Sequence, residues 1–251
     1  MRFCSLGSGS KGNALLVAHE KTVIMIDCGF SLQETTLRMA RCGIQPEQLD
    51  AVLVTHEHGD HVRGVKPLAK KYRIPVYSTQ GTYQAGKLQT ITAWQPLSFE
   101  TTCMLGTLQV TSVAVPHDAK EPCQFIVQAD DRKLGVLTDL GSVSAHVQSQ
   151  YRKCHALYME ANYDDHMLQT GPYPPRLKAR IASDWGHLSN QQATAFLAGS
   201  MWDDLQTVVI AHSSQENNSP SILDACFNPF AKQLTHMVYA HQDYGFEWLT
   251  V

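Results

Sequence analysis

Short apolar runs separated by turn residues set the pattern of the first half of the chain. Arg2–Leu6, Ala14–Ala18 and Val23–Asp27 read as strands rich in Val, Leu and Ile, and Gly7–Asn13 is the turn between the first two. Ser31-Leu32-Gln33-Glu34 reads as a capping box, and Cys42-Gly43 ends the helix it opens. Ala51–Thr55 is a buried strand. Pro67 fits the first position of a short helix reaching about Lys71, and Val76–Ser78 is a short strand. Leu108–Val115, Phe125–Ala129 and Leu134–Thr138 continue the β pattern. In the second half, Ala156–Glu160, Thr207–Ala211, Thr235–Ala240 and Phe246–Val251 read as strands. Ser189-Asn190-Gln191-Gln192 caps a helix running to Gly199, and Ser219-Pro220 starts another. Gly171–Pro175 reads as a loop. Interleaved strands and helices without a linker or repeat predict one layered α/β domain over residues 1–251.

Composition narrows the class. Of 251 residues, 43% are apolar and 17% charged, which excludes disorder, collagen and coiled coil. A domain of this length buries about three quarters of its unfolded surface and needs no staples. No apolar run nears the ~20 residues of a membrane span, and no signal-like segment opens the chain, so the expected address is cytoplasmic without membrane contact. The net charge of −3 excludes a strongly basic nucleic-acid binder but leaves room for a local basic patch. Seven scattered Cys without a C-x-x-C pair read as reduced, mostly buried thiols; Cys28, beside Asp27, is the one left open. Twelve His against eight Phe is the unusual count.

Five of those histidines, His56, His58, His61, His117 and His212, follow strand ends, and His19, His146, His155, His166, His236 and His241 read as ordinary surface or core residues. Thr55-His56-Glu57-His58-Gly59-Asp60-His61 brings three imidazoles and two carboxylates into one segment, a donor set suited to Zn²⁺, Mn²⁺ or Fe²⁺. Further strands run into Asp27, His117, Asp139 and His212. Each alone reads as a polar residue at a turn; together with H-x-H-x-D-H they read as ligands.

This set resembles the metallo-β-lactamase superfamily in order and approximate spacing across essentially the whole chain. The resemblance implies a four-layer αββα sandwich with metals at one edge between two sheets. It implies that His56, His58 and His117 hold one cation, that Asp60, His61 and His212 hold the other, and that Asp139 bridges them. Asp27 would orient a ligand from behind, and Asp60 would also take part in catalysis. His58 stands where flavodiiron proteins place Glu, which argues against iron redox chemistry. Gly186-His187-Leu188-Ser189-Asn190-Gln191-Gln192-Ala193 is similar to a motif of transfer-RNA 3′-processing endonucleases and makes His187 the candidate general acid. Six motifs together resemble the WalJ/YycJ-type metallo-hydrolases, which implies 5′→3′ exonuclease activity on DNA. They are Ser5–Asn13, Thr55–His58, Glu160–Asp164, Gly171–Pro174, Gly186–Asn190 and Glu216–Asn218. Tyr163 departs from the pattern, where many relatives carry His. The interval from Asp139 to His212 is too short for a β-CASP insert.

The expected cofactors are two divalent ions, zinc on account of five histidines or manganese on account of the carboxylates and a phosphate substrate. Two such ions sharing a water lower its pKa towards about 7, the basis of in-line attack on a phosphodiester. The expected partner is a DNA, or RNA, end. Lys11 and Asn13 in the first turn, and Ser213, Ser214, Asn217 and Asn218 ahead of a helix, are the candidate substrate contacts. Lys66, Lys70, Lys71 and Arg73, and Arg176, Lys178 and Arg180, are the basic clusters available to a nucleic-acid backbone. Two other readings stay open. One is hydrolysis of a small cyclic phosphodiester or a thioester on the same scaffold; the other is a non-catalytic, metal-bound DNA-binding module.

Overall fold

The computed structural model describes all residues, 1–251. Two seven-stranded mixed sheets form its centre. The first holds β1 (Arg2–Gly7), β2 (Ala14–His19), β3 (Thr22–Ile26), β4 (Ala51–Leu53), β5 (Val76–Ser78), β6 (Trp94–Pro96) and the last strand, β14 (Phe246–Thr250). Its order is β14-β1-β2-β3-β4-β5-β6. The second holds β7 (Thr102–Leu105), β8 (Leu108–Ala114), β9 (Cys123–Ala129), β10 (Arg132–Leu137), β11 (Ala156–Glu160), β12 (Thr207–Ala211) and β13 (His236–Tyr239), in the order β13-β12-β11-β10-β9-β8-β7.

Helices cover both outer faces. On the first sheet lie α1 (Leu32–Arg41) and α3 (Val65–Tyr72), with α2 (Gly59–Val62) and α4 (Gln80–Ala85) at its ends. On the second lie α5 (Ala145–Gln150), α8 (Asn190–Ser200) and α9 (Pro220–Ala231); α6 (Asp165–Thr170) and α7 (Pro175–Ile181) form a separate hairpin. Three buried clusters fill the spaces between layers. Phe3, Leu53, Phe125 and Val209 belong to the one between the sheets. Met39 and Leu68 join helix to first sheet, and Tyr151 and Phe196 join helix to second sheet. This is the expected four-layer αββα sandwich. Its central strands are buried on both faces, which is why they read as unbroken apolar runs rather than alternating ones.

Strand direction positions the site. β3 and β4 are parallel, as are β10, β11 and β12. β8 is antiparallel to β9, which is antiparallel to β10, so β8 runs with β10. The carboxyl ends of these strands lead into Asp27, His56, His117, Asp139, Glu160 and His212, and meet at one edge of the sandwich. Open α/β sheets place ligands at this end.

Several local expectations need correction. Ser31 caps α1 by accepting from the Glu34 amide, but the Glu34 carboxylate pairs with Arg38 at 2.6 Å instead of closing the box. The box at Ser189 and Gln192 is complete. Pro67 is the third residue of α3, not the first; the first turn has no intrahelical use for its amide hydrogens, so proline is tolerated there. Pro175 opens α7, so the proline-rich loop ends in a helix. Helices α4, α5 and α6 and the edge strands β6 and β7 were not foreseen.

The turn 7–13 is a buttress rather than a phosphate loop. The Asn13 amide donates to the Asp60 carbonyl at 2.8 Å, and the Gly29 amide to the Asn13 carbonyl at 2.9 Å. A Cβ on Gly29 would sit 1.7 Å from the Asp60 carbonyl oxygen, which is backbone and cannot swing aside. Gly29→Ala is therefore expected to cost about 3 kcal/mol or more of unfolding free energy, read as a lowered urea midpoint. Unchanged stability would mean that the 27–30 and 58–62 segments are not locked together.

Candidate metal centre

The first segment leaves β4 and wraps around Asp27. The Asp27 carboxylate accepts from the Thr55 amide and hydroxyl, both at 2.8 Å, and from His61 Nδ1 at 2.7 Å. His56 Nδ1 donates to Thr55 Oγ1 at 3.0 Å. His117 Nδ1 donates to the Gly186 carbonyl at 3.0 Å. His212 Nδ1 lies 3.4 Å from Glu160 Oε2, and the His212 amide donates to Ser8 Oγ at 2.8 Å. Each ring thus has its Nδ1 occupied and turns its Nε2 towards the shared edge, the arrangement that orients an imidazole towards a metal.

The available atoms converge in two nests. His56 Nε2 and His117 Nε2 lie 3.0 and 3.3 Å from His58 Nδ1. Asp60 Oδ2 lies 3.5 Å from both His61 Nε2 and His212 Nε2. Asp139 faces the second nest, with Oδ2 3.3 Å from His61 Nε2 and Oδ1 3.4 Å from His212 Nε2, and it also lies at ligand spacing with His56 of the first. The sandwich therefore brings together the seven side chains singled out from the sequence, with Asp27 behind them. Asp139 Oδ2 and His212 Nε2 are buried with no hydrogen-bond partner. An unpaired buried polar atom costs about 1–3 kcal/mol. Cations among these donors would satisfy both atoms, so the residues fit divalent metal ions.

Backbone geometry serves the same end. Asp27, Asp139 and His212 have φ of 59°, 52° and 50°. Left-handed backbone is unfavourable for a side-chain-bearing residue, least so for Asp, Asn and His. Here it ends three strands abruptly and turns their side chains into the shared edge.

Burial and neighbours split the protonation states. Burial, then the nearby His61, holds His56 well below the ordinary imidazole range, and burial also lowers His117. Burial opposes charge on His61 and His212 as well, yet the facing carboxylates win. Asp139, Asp60 and Asp27 raise His61 well above its usual value, and Asp139, Asp60 and Glu160 raise His212 to about 10. Burial likewise opposes ionising Asp60 and Asp139, but the same imidazoles hold both carboxyls well below the usual range. Burial pushes the Cys28 thiol up to about 12, making it an inert packing residue.

One residue here was missed from the sequence. Glu160, fully buried at the end of β11, accepts from the Asp139 amide at 2.8 Å, the Leu188 amide at 2.6 Å and His187 Nδ1 at 3.0 Å. Burial works against its charge, but His187 facing it lowers its pKa. Its signal was a carboxylate closing an apolar strand, the same signal that marked Asp27 and Asp139. His187 lines the cavity above the nests, a space of about 400 Å³.

The candidate substrate contacts fare differently. Ser214 lines the metal cavity, and with Ser213 and Asn218 it also lines a second cavity of about 320 Å³. Asn13 is buried, and its side-chain amide reaches Gly9, Asp60 and His61, so it braces the ligands. Asn218 spends its amide on the Ala161, Asn162 and Asn190 oxygens. Asn217 is buried beneath Ser214. The Lys11 side chain lines neither cavity. Asn13 and Asn218 thus spend their side-chain amides within these loops, where buried backbone needs polar partners, while Lys11 is exposed. Lys70 and Arg73 line a separate cavity with Thr90 and Ile91.

Fold and donor set together define an αββα metal-dependent hydrolase scaffold. A beta-lactamase superfamily domain model matches residues 22–210, so the chain belongs to that superfamily. It is 34% identical over 247 residues to "Exodeoxyribonuclease WalJ" of Streptococcus pneumoniae, covering 96% of this chain and 87% of that protein. It is 34% identical over 222 residues to "Exodeoxyribonuclease YycJ" of Bacillus anthracis, covering 87% and 84%. Among solved structures, the metallo-beta-lactamase fold protein YhfI of Bacillus subtilis superposes with a TM-score of 0.75 at 13% identity over 99% of both chains. No helix is long and apolar enough to cross a membrane.

Metal loading should release protons, because the facing carboxylates favour the charged form of His61 and His212 and a ligating imidazole must be neutral. About two protons per loaded protein are expected near neutral pH, with affinity falling as pH drops from 9 to 6. Calorimetric titration in buffers of different ionisation enthalpy reads the number. Zero release would mean that both rings are already neutral before a cation enters.

Proposed function

We propose that this chain is a two-metal exodeoxyribonuclease that degrades DNA from the 5′ end. The observation that carries the reading is the pair of adjacent donor nests, with Asp139 at ligand spacing from His56, His61 and His212, at a cavity lined by His58, Asp60, Asp139 and His212. Identity to two exodeoxyribonucleases over most of the chain supports the substrate class. His56, His58 and His117 would hold one ion, and Asp60, His61 and His212 the other, with Asp139 between. When bound, the ions supply an activated water and neutralise the phosphoryl oxygens. Zinc suits the imidazoles and manganese the carboxylates and phosphate. The reading needs no substrate domain beyond the sandwich, and it places the enzyme with DNA in the cytoplasm.

The chain's own residues do the rest. Asp27 and the Gly186 carbonyl hold ligand rings in one tautomer. Glu160 holds His187 Nδ1, leaving the other ring nitrogen free to give a proton to the leaving 3′ oxygen. Ser214 lines both cavities, so its hydroxyl is available to a strand that reaches from one to the other.

Digestion of end-labelled DNA and RNA, with 5′-phosphate or 5′-hydroxyl ends, under zinc and under manganese, tests the activity. Mononucleotides released first from the 5′ end of DNA are expected. Internal cuts, or loss from the 3′ end, would overturn it. His187→Ala should lower turnover by about 10²–10⁴ with metal content unchanged by elemental analysis. A variant that loses metal would make His187 a ligand, since it also lies among Asp139, Glu160 and His212 at ligand spacing.

A further inference from the structure

The metal cavity has many imidazoles and carboxylates along its wall but one permanent cation. Arg180, near the end of α7, is the sole lysine or arginine lining it. Its placement is built rather than incidental. Arg180 Nε donates to Asp118 Oδ2, while its two terminal nitrogens make no hydrogen bond within the protein and its side chain is 53% exposed. The other Asp118 oxygen, Oδ1, lies 3.6 Å from His117 Nε2 and 3.9 Å from His58 Nε2. One carboxylate therefore spans the gap between the guanidinium and the first donor nest. Asp118 is itself fixed, because its amide donates to the Trp185 carbonyl at 2.9 Å, in the loop that also orients His117.

Chemistry selects the ligand for such a fork. The free Nη1/Nη2 edge of the guanidinium, beside a cation nest, matches the paired non-bridging oxygens of a phosphate. A thioester offers no anionic oxygen pair there. The neighbouring cations do not compete for the role. Arg176 and Lys178 do not line the cavity, and the Lys178 ammonium donates to the Gln169 carbonyl at 2.7 Å.

We propose that Arg180 is the substrate-phosphate contact of this site and that Asp118 is the positioning residue that aims it. The assignment rests on the phosphodiesterase reading above, and it separates that reading from thioester hydrolysis on the same scaffold.

The test compares wild type, Arg180→Ala, Arg180→Lys, Asp118→Ala and Asp118→Asn on 5′-phosphorylated single-stranded DNA and on bis-p-nitrophenyl phosphate, with metal content measured for each. Arg180→Ala should lower kcat/KM by about 10–100-fold, mostly through KM, with metal content unchanged. On DNA, the slope of log kcat/KM against log salt should become shallower by about 0.7, the loss of one phosphate contact on a single strand. Arg180→Lys should restore part of the activity and the whole salt slope, and Asp118→Asn should retain more activity than Asp118→Ala. Wild-type kinetics in Arg180→Ala, or a loss that tracks lost metal, would overturn the assignment and leave the exonuclease reading standing. Cleavage of the small diester alone by wild type would overturn the exonuclease reading, while Arg180 is still judged by its effect on that diester. Cleavage of neither phosphodiester would overturn both.

Discussion

Charge compensation at one edge of the sandwich governs the arrangement of everything around it. Asp27, Asp139 and Glu160 are buried carboxylates, and an unpaired buried charge costs several kcal/mol. Asp27 and Glu160 are held by imidazoles and backbone amides from neighbouring segments, and Asp139 faces the His61 and His212 rings. Asp27 takes Thr55 and His61; Glu160 takes the Asp139 and Leu188 amides and His187. The two sheets are joined at this edge through Ser8, in the turn after β1, which accepts from the His212 amide and the Tyr158 hydroxyl at the other sheet, as well as by the apolar core between them. Removing one carboxylate would leave buried donors unpaired on a neighbouring strand, so the site and the local fold are one structure.

Much of this was legible in the sequence, for a physical reason. A strand buried on both faces reads as an apolar run, and a His or Asp that ends such a run must emerge at the sheet edge. That logic located Asp27, His56, His117, Asp139 and His212. Applied to Ala156–Glu160, it also points to Glu160, which the run hides because the carboxylate is the strand's own last residue. The loop polar residues resisted the same logic. Asn13, Asn217 and Asn218 look solvent-facing in sequence, yet the loops at this edge are buried and use side-chain amides to satisfy backbone groups. Helices α4, α5 and α6 span six residues each, too few to show a 3.6-residue period, and packing rather than propensity forms them. The edge strands β6 and β7 likewise lack the continuous apolar run of the central strands.

The left-handed residues show how packing overrides local preference. Nothing in the sequence around Asp27, Asp139 or His212 demands a positive φ, and glycine would adopt it more cheaply. The residues there are ones whose side chains the site needs, so the backbone strain is held by the surrounding hydrogen bonds. Asp27 is fixed through Thr55 and His61, and His212 through Ser8, which also accepts the Tyr158 hydroxyl at 2.8 Å. Strain held this way preorganises donors before a metal arrives, which limits the reorganisation that binding would otherwise require.

The weak net charge of the chain then follows from where positive charge is needed. A nucleic-acid binder that works by surface electrostatics spreads lysine and arginine over a face. This chain instead concentrates cation-binding capacity in the two nests, and bound divalent ions add positive charge that the formal total of −3 omits. One arginine at the cavity wall, aimed by an aspartate that also approaches the first nest, adds direction to that charge. Cations held in the nests would concentrate positive charge where a phosphate meets them, so a broadly basic surface would not be needed.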